Sequence, residues 1–153
     1  MILSGRDLAW YVETGKLGID PVTPEQFQQN GIDLVLDDID GHPASLFGFY
    51  LASTREVLRM PDDLMAFVEL RSTWARQGIL LPPTIVDAGF QGNLTLEIFA
   101  SRGVREMALI ASGSALATPP RPLIAPYGQR FAHLIFAKLT SPSLPYDGKY
   151  QHQ

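Results

Sequence analysis

The side chains best suited to chemistry are concentrated between residues 67 and 100. They are two guanidiniums, two hydroxyls and two carboxylates, on Arg71, Ser72, Thr73, Arg76, Asp87 and Glu97. Two guanidiniums beside two hydroxyls suit a polyanion, because a guanidinium fork binds phosphate oxygens through two hydrogen bonds at once. The hydroxyl pair also opens a predicted short helix, whose free backbone amides attract anions. The first half of this stretch is therefore a candidate phosphate site.

Glu97 is the acidic residue of an otherwise apolar run, 94–99, that we expect to be a strand. We expect it to interrupt the apolar face of that strand. Carboxylates are rarely placed in apolar surroundings unless they are paired, so Glu97 is a candidate catalytic residue. Two structural alternatives stay open: an exposed position on an edge strand for Glu97, and an ordinary turn position for Asp87.

The elements that must position these side chains are mainly predicted strands. Short apolar segments recur between prolines and glycines, at 32–36, 47–52, 64–70, 79–81, 94–99, 107–111, 123–124 and 131–139. Many short strands with such punctuation favour a sandwich or barrel-like all-β fold. A helix is predicted at 5–14, because Ser4-Gly-Arg-Asp7 has the pattern of a capping box, and a second helix start is indicated at Thr23. An acidic turn is predicted at 37–41.

Composition limits the classes of protein that the chain can belong to. Its 153 residues suit one domain, 1–153, and a net charge of −4 argues against a nucleic-acid surface built on bulk attraction to phosphate. The absence of cysteine excludes disulfides, thiolate nucleophiles and cysteine-ligated metal sites. No signal peptide and no run long enough to span a bilayer occur, so we expect a cytoplasmic protein without a membrane segment. Residues 141–153 are polar and proline-bearing, and we expect an extended C-terminal tail.

Five motifs occur in order along the chain. They are Ile2-Leu-Ser-x-Arg-Asp7, Ile32-Asp-Leu34, Arg71-Ser-Thr-Trp-Ala-Arg-Gln-Gly78, Val86-Asp-Ala-Gly-Phe-Gln-Gly92 with Leu94-Thr-Leu-Glu97, and Pro145-Tyr-x-Gly-Lys-Tyr-Gln151. Together they resemble the dCTP deaminase family, which shares a superfamily with the trimeric dUTPases. His133 stands where that family usually has a glutamine.

The resemblance implies a fold and an activity. The implied fold is a mainly β, distorted jelly-roll (β-clip, dUTPase-like) fold with a short N-terminal helix and one short helix after the Arg-Ser-Thr motif. In it, the tail 141–153 closes over the nucleotide. The implied enzyme deaminates dCTP to dUTP and ammonia in the biosynthesis of dUMP and dTTP. A bifunctional form that gives dUMP and diphosphate, a dUTP diphosphatase without deaminase activity, and a non-catalytic nucleotide-binding module stay open.

The resemblance also implies partners and site residues. The partners are dCTP or dUTP, dTTP as a feedback inhibitor, and two further copies in a homotrimer whose sites lie at subunit boundaries, with no nucleic acid and no membrane. Glu97 is implied as the acid and base, with Ser72 and Arg76 around the reacting edge. The implied substrate-binding residues are Arg71, Thr73, Trp74, Ala75, Asp87, Thr95, Leu96, Tyr146, Lys149 and Gln153.

No protein ligand for a metal is implied, and Mg²⁺ is expected with the triphosphate and water. Zinc deaminases hold their metal with His and Cys ligands. This chain has no cysteine and three histidines, His42, His133 and His152, so it cannot form that site.

Overall fold

The computed structural model describes residues 1–40, 45–46, 48–100, 123–124 and 126–152. The helices of this part are α1 (Gly5–Glu13) and α2 (Ser72–Ala75), with a 3₁₀ turn at Pro24–Gln26. The strands, in chain order, are β1 (Gly18–Asp20), β2 (Phe27–Gln28), β3 (Gly31–Ile39), β4 (Ser45–Leu46), β5 (Gly48–Thr54), β6 (Val57–Arg59), β7 (Leu64–Leu70), β8 (Ile79–Leu80), β9 (Thr84–Val86), β10 (Gln91–Gly92), β11 (Thr95–Ala100), β12 (Leu123–Ile124) and β13 (Arg130–Lys138).

Helix α1 forms where the sequence predicts it. The Ser4 hydroxyl accepts a hydrogen bond from the Asp7 amide (3.2 Å), and the Asp7 carboxylate accepts one from the Ser4 amide (3.1 Å). These reciprocal bonds satisfy two amides that the first helical turn leaves free. Leu8 is fully buried against the sheet, and Gly15, in the left-handed region with φ of 71°, follows the helix end.

The principal sheet is antiparallel, with strand order β8-β11-β5-β3-β13-β7-β9, and β2 pairs with β3. Strands β8 and β9 lie at opposite ends of this order, yet only residues 81–83 separate them in the chain. Flat, seven strands would hold the edges about 29 Å apart, whereas four residue steps span at most about 14 Å. The sheet must therefore curl until its edges approach each other.

The core fills the inside of this curled sheet. Its largest fully buried side chains include Ile32 and Leu34 of β3, Leu96 of β11, and Phe131 and Phe136 of β13. A second sheet, β1-β6-β10, and a β4–β12 pair complete the described part.

Most predicted strands are confirmed, but one predicted turn is wrong. The prediction at 64–70 coincides with β7. The prediction at 79–81 differs from β8 by one residue at one end, and those at 94–99 and 131–139 differ from β11 and β13 by one residue at both ends. The acidic turn predicted at 37–41 is wrong, because β3 runs on to Ile39 through a shift in register between Leu36 and Asp38. The helix start at Thr23 gives only the 3₁₀ turn. The strand predicted at 107–111 lies outside the described residues.

A buried carboxylate ties the turn after β5 to β3. Glu56 is fully buried, and it accepts hydrogen bonds from the Gln26 amide group (2.7 Å) and the Val35 backbone amide (3.0 Å). The hydroxyl of Thr54, the last residue of β5, accepts a hydrogen bond from the Leu94 amide at 3.0 Å. Burial raises the pKa of Glu56 above its ordinary value of 4.5, although these hydrogen bonds oppose the change. The Glu56 carboxyl, which resists ionisation, therefore ties this turn to β3, and the Thr54 hydroxyl ties the end of β5 to the start of β11.

The raised pKa of Glu56 should make the free energy of unfolding depend on pH. Because its pKa is higher in the folded chain, Glu56 contributes stability that is present below the unfolded value of 4.5 and is lost as the pH rises through the folded pKa. Every tenfold difference in proton affinity between the folded and the unfolded chain corresponds to about 1.4 kcal/mol. We expect the free energy of unfolding of the wild type, minus that of Glu56→Gln, to fall between pH 4.5 and neutrality. Urea unfolding at fixed protein concentration measures it; a pH-independent difference would contradict the assignment.

Candidate active site

Two cavities contain most of the predicted site residues. The larger cavity, of about 590 Å³, lies between β9, β11 and the C-terminal tail, and among its lining residues are Asp87, Thr95, Leu96, Glu97 and Tyr146. The smaller cavity, of about 270 Å³, is lined by residues that include Arg71, Ser72 and Thr73. Among the described residues, the two cavities share no lining residue. Arg76 lines neither, so the predicted catalytic residues do not meet in either of these two cavities.

Glu97 lies on the face of β11 that points away from the core. Burial alternates along the strand, so that Leu94, Leu96, Ile98 and Ala100 are buried, whereas Glu97 is half-buried. The expectation that Glu97 interrupts the apolar face is therefore wrong, because a strand sends successive side chains to opposite faces. Its carboxylate has no polar partner among the described residues and lines the larger cavity.

Asp87 brings a second carboxylate to the larger cavity. It begins the tight turn before β10, in which the Phe90 amide donates to the Asp87 carbonyl at 3.2 Å. Its side chain is exposed and has no partner in the part of the chain that the structure describes. Among the described lining residues of the larger cavity are two unpaired carboxylates and no cationic side chain. By itself it therefore suits an uncharged group rather than a triphosphate.

The α2 turn is held against the start of β13. The Arg71 amide donates to the Phe131 carbonyl (3.0 Å), and the Trp74 indole donates to the Arg130 carbonyl (2.9 Å). The Trp74 ring is buried against Phe131, with ring centroids 6.1 Å apart, so its side chain stabilises the turn and leaves only its backbone to contact a ligand.

These contacts leave the outer face of α2 free. Ser72, Thr73, Ala75 and Arg76 are exposed, and their side chains have no polar partner among the residues described. The turn thus presents a guanidinium and two hydroxyls to solvent.

Arg71 is paired within the chain. Its Nε atom lies 3.1 Å from Oδ2 of the buried Asp33, and its Nη1 atom donates to the Arg130 carbonyl at 3.3 Å. Sequence reasoning did not assign Asp33 to the site, although it is the acidic residue of the apolar run 32–36. An acidic residue in an apolar run was the sequence pattern that could have identified Asp33 as a candidate site residue.

The C-terminal tail lies along the Asp87 turn of its own chain. The Tyr146 amide donates to the Ala88 carbonyl (2.9 Å). The Gln151 side chain accepts from the Gln91 amide (3.0 Å) and donates to the Gly89 carbonyl (3.1 Å). Tyr146 and Tyr150 thereby line the larger cavity. Gln151 ends the fifth sequence motif, but that motif did not predict that its side chain would bind this turn.

The remaining predicted tail residues lie apart from the cavities. Lys149 is exposed and lines neither cavity, and its Nζ atom lies 5.4 Å from the centroid of the Tyr150 ring. Gln153 is outside the described residues.

Two negative findings concern metals and membranes. Within the described ranges, no three His, Asp or Glu side chains cluster in a way that could hold a metal ion. Neither helix of the described part is long and apolar enough to cross a membrane.

Comparison with known proteins identifies the family. A family model described as dCTP deaminase-like matches residues 47–139. The dCTP deaminase of Hyperthermus butylicus is 38% identical, over 100% of this chain and 95% of that protein. The probable deoxyuridine 5′-triphosphate nucleotidohydrolase of Sulfolobus islandicus rod-shaped virus 1 is also 38% identical, over 100% of this chain and 94% of that protein. The chain belongs to the dCTP deaminase-like family.

A solved structure gives the fold. The crystal structure of 2′-deoxycytidine 5′-triphosphate deaminase from Agrobacterium tumefaciens matches with a TM-score of 0.66 at 18% identity. The match covers 90% of this chain but 48% of that one, and at this identity it shows the fold alone. The predicted mainly β fold class and the predicted enzyme family are confirmed.

The tail contacts predict the effect of a side chain at position 89. Gly89 has φ of 79°, and a Cβ there would lie 2.7 Å from Pro145 Cα and 2.9 Å from the Tyr146 amide nitrogen. Gly15, with φ of 71° and no neighbour within 4 Å, is the matched control. Both alanine variants should lose about 1 kcal/mol from the left-handed backbone. Only Gly89→Ala should also lose hydrogen-exchange protection at Tyr146 and His152; equal tail protection in both variants would refute the docking.

Proposed function

We propose that the protein is a zinc-independent hydrolytic dCTP deaminase that forms dUTP and ammonia. The observation that carries this proposal is the unpartnered, half-buried carboxylate of Glu97 in a cavity of about 590 Å³. A cavity of that size accepts a small ligand such as a nucleoside, and a carboxylate held there is available for proton transfer.

The chemistry follows from the positions of these groups. Water adds to C4 of cytosine while Glu97 takes a proton from it and delivers that proton to N3. Glu97 then carries the proton of the new C4 hydroxyl to the amine, the C4–N bond breaks, and ammonia leaves as the C4 carbonyl forms. Asp87, in the same cavity, would accept a hydrogen bond from the deoxyribose 3′-hydroxyl. The backbone at Thr95 and Leu96 would contact the pyrimidine, and Tyr146 and Tyr150 would limit the access of water.

The phosphates of the substrate require the cationic and hydroxyl groups of the α2 turn. Among the described residues of one chain, that turn does not line the larger cavity. Because the larger cavity is lined by carboxylates, the triphosphate must lie among the free cation and hydroxyls of an α2 turn. We infer that a neighbouring copy supplies that turn, so that Ser72 and Arg76 of one subunit approach Glu97 of another. The active enzyme is then a homotrimer with composite sites.

An exposed apolar row supports contact between copies. Phe99 pairs with Phe49 on one side and with Leu80 on the other. These side chains are 44%, 62% and 55% exposed, respectively. Monomeric proteins rarely leave such a row in water, so we assign it to the subunit contact.

The donor set fits Mg²⁺ delivered with the substrate. No acidic cluster of the described part forms a dedicated cage, and Mg²⁺ commonly keeps several waters and binds through substrate phosphates. Bound in this way, the ion would neutralise part of the triphosphate charge beside Arg71 and Thr73.

The remaining proposals follow from the substrate. dTTP carries the same sugar and triphosphate, so it would compete for the site and act as a feedback inhibitor. We place the protein in the cytoplasm, where it would supply dUTP for the synthesis of dUMP and dTTP.

A second candidate is hydrolysis of the triphosphate itself. Asp87 lines the cavity beside Glu97 and could orient water toward the α-phosphorus, and the viral relative is named for dUTP hydrolysis. An enzyme that did both would release dUMP and diphosphate from dCTP. Chromatography of the products formed from dCTP and from dUTP with Mg²⁺ distinguishes dUTP, dUMP and no turnover.

Glu97→Gln tests the proposed chemistry. An amide cannot relay protons, so we expect ammonia release from dCTP to fall by about 10²- to 10⁴-fold while dCTP still binds. Glu13→Gln, the same change at an exposed position at the end of α1, should leave the rate unchanged. Deamination at the wild-type rate by Glu97→Gln would refute the mechanism, and turnover of dUTP alone would establish the second candidate.

A further inference from the structure

Three side chains form a row beneath the phosphate-binding half of the site. His133 of β13 pairs directly with Asp33 of β3 on one side and with Glu69 of β7 on the other. All three line the smaller cavity together with Arg71. The row therefore connects the centre of the sheet to a residue that the proposed function assigns to the triphosphate.

Asp33 is the charged centre of this row. It is 1% exposed, and its Oδ2 atom lies 3.1 Å from Arg71 Nε and 3.5 Å from Arg130 Nη1. These ion-pair distances lack hydrogen-bond geometry, because Oδ2 accepts no hydrogen bond in the described part of the chain. Coulomb attraction thus holds the guanidiniums without fixing the rotation of the carboxylate.

His133 supplies the missing orientation. Its Nδ1 atom lies 2.8 Å from Asp33 Oδ1. Among the described residues, this contact is the side-chain hydrogen bond that the Asp33 carboxylate accepts. The ring is itself confined, because a Cβ at Gly31 would lie 2.5 Å from its Nε2 atom. A half-buried ring in a fixed position therefore sets the direction in which Asp33 faces Arg71.

Arg71 is left with one end of its fork available. Nε faces Asp33, Nη1 donates to the Arg130 carbonyl, and Nη2 has no partner among the described residues. The direction of Nη2 depends on the two anchors behind it. A guanidinium binds phosphate well only when its planar fork is correctly aimed.

We propose that His133 is a positioning residue for triphosphate binding, acting through Asp33 on the guanidinium of Arg71. This inference rests on the proposed function, because it assigns Arg71 to the phosphates. It predicts that His133 affects affinity for the triphosphate and not for the nucleoside.

Equilibrium binding of dCTP with Mg²⁺, and of deoxycytidine, to the full chain tests the proposal. His133→Phe keeps a ring but cannot donate to Asp33, and we expect it to weaken dCTP binding about tenfold and leave deoxycytidine binding unchanged. His133→Asn, whose side-chain amide nitrogen is the same number of bonds from Cβ as Nδ1 and can donate to Oδ1, should restore dCTP binding. In steady-state kinetics with dCTP, His133→Phe should raise KM and leave kcat unchanged, as expected for lost uniform binding.

A double-mutant cycle shows whether the effect passes through Arg71. Arg71→Ala should weaken dCTP binding at least as much, and His133→Phe should add nothing in that background. Additive effects, equal weakening for deoxycytidine, or no change in His133→Phe would overturn the proposal. His133→Leu, which is smaller and cannot donate to Oδ1, replaces His133→Phe if thermal unfolding shows that variant to be misfolded.

Failure of the two proposals can be told apart. If the wild type binds dCTP but does not deaminate it, the proposed function fails, while the binding cycle still decides the role of His133. If the wild type deaminates dCTP but the cycle is additive, only the role of His133 fails.

Discussion

The antiparallel register that holds β11 between β5 and β8 determines which side of the sheet Glu97 faces. Leu96 and Ile98 are fully buried on the inner face, so the intervening Glu97 must point outward, opposite Leu51 of β5. A slip of one residue would send the carboxylate into the core and the leucine into the cavity. Burying an unpaired carboxylate is costly enough that this slip is strongly disfavoured. The apolar residues of β11 thus fix the one group on which the proposed chemistry depends.

The separation of charge between the two cavities follows from the curl of the same sheet. Curling brings β9, with Asp87 just after it, to β11, and so gathers two carboxylates in one cavity. The α2 turn follows β7, and Trp74 and Arg71 attach it to the start of β13. A nucleoside triphosphate has an uncharged end and a highly charged end, and under the proposed function each end has its place in a different cavity of one chain. Association of copies is the simple way to join those places.

Local sequence patterns predicted those parts of the fold that local physics decides. The reciprocal bonds of Ser4 and Asp7 and the apolar segment that became β7 are examples, since each depends on residues close in the chain. The motif residues from Arg71 to Glu97 were found for the same reason. The face of Glu97 was misjudged, because the apolar run 94–99 alternates between two faces of the strand, and Phe99, like Glu97, lies on the outer one.

Features that depend on strand register could not be read from the sequence. Asp33 and His133 are 100 residues apart, and only the pairing of β3 with β13 makes them neighbours. The attachment of Gln151 to the turn at Gly89 joins residues 62 apart in the chain. The extension of β3 through Asp38 depends on a bulge against β5. The acidic residues of this segment had instead predicted a turn at 37–41.

Mixing two inactive variants tests most directly whether the site is shared between subunits. Glu97→Gln and Arg76→Gln, carrying different affinity tags, are refolded together, and trimers that contain both tags are isolated before deamination of dCTP is measured. Each variant alone should be inactive. The mixed trimers should regain about a third of the wild-type activity, because one site in each draws an intact Glu97 from one chain and an intact Arg76 from its neighbour. Mixed trimers without activity would contradict the account and place both residues in one chain's site.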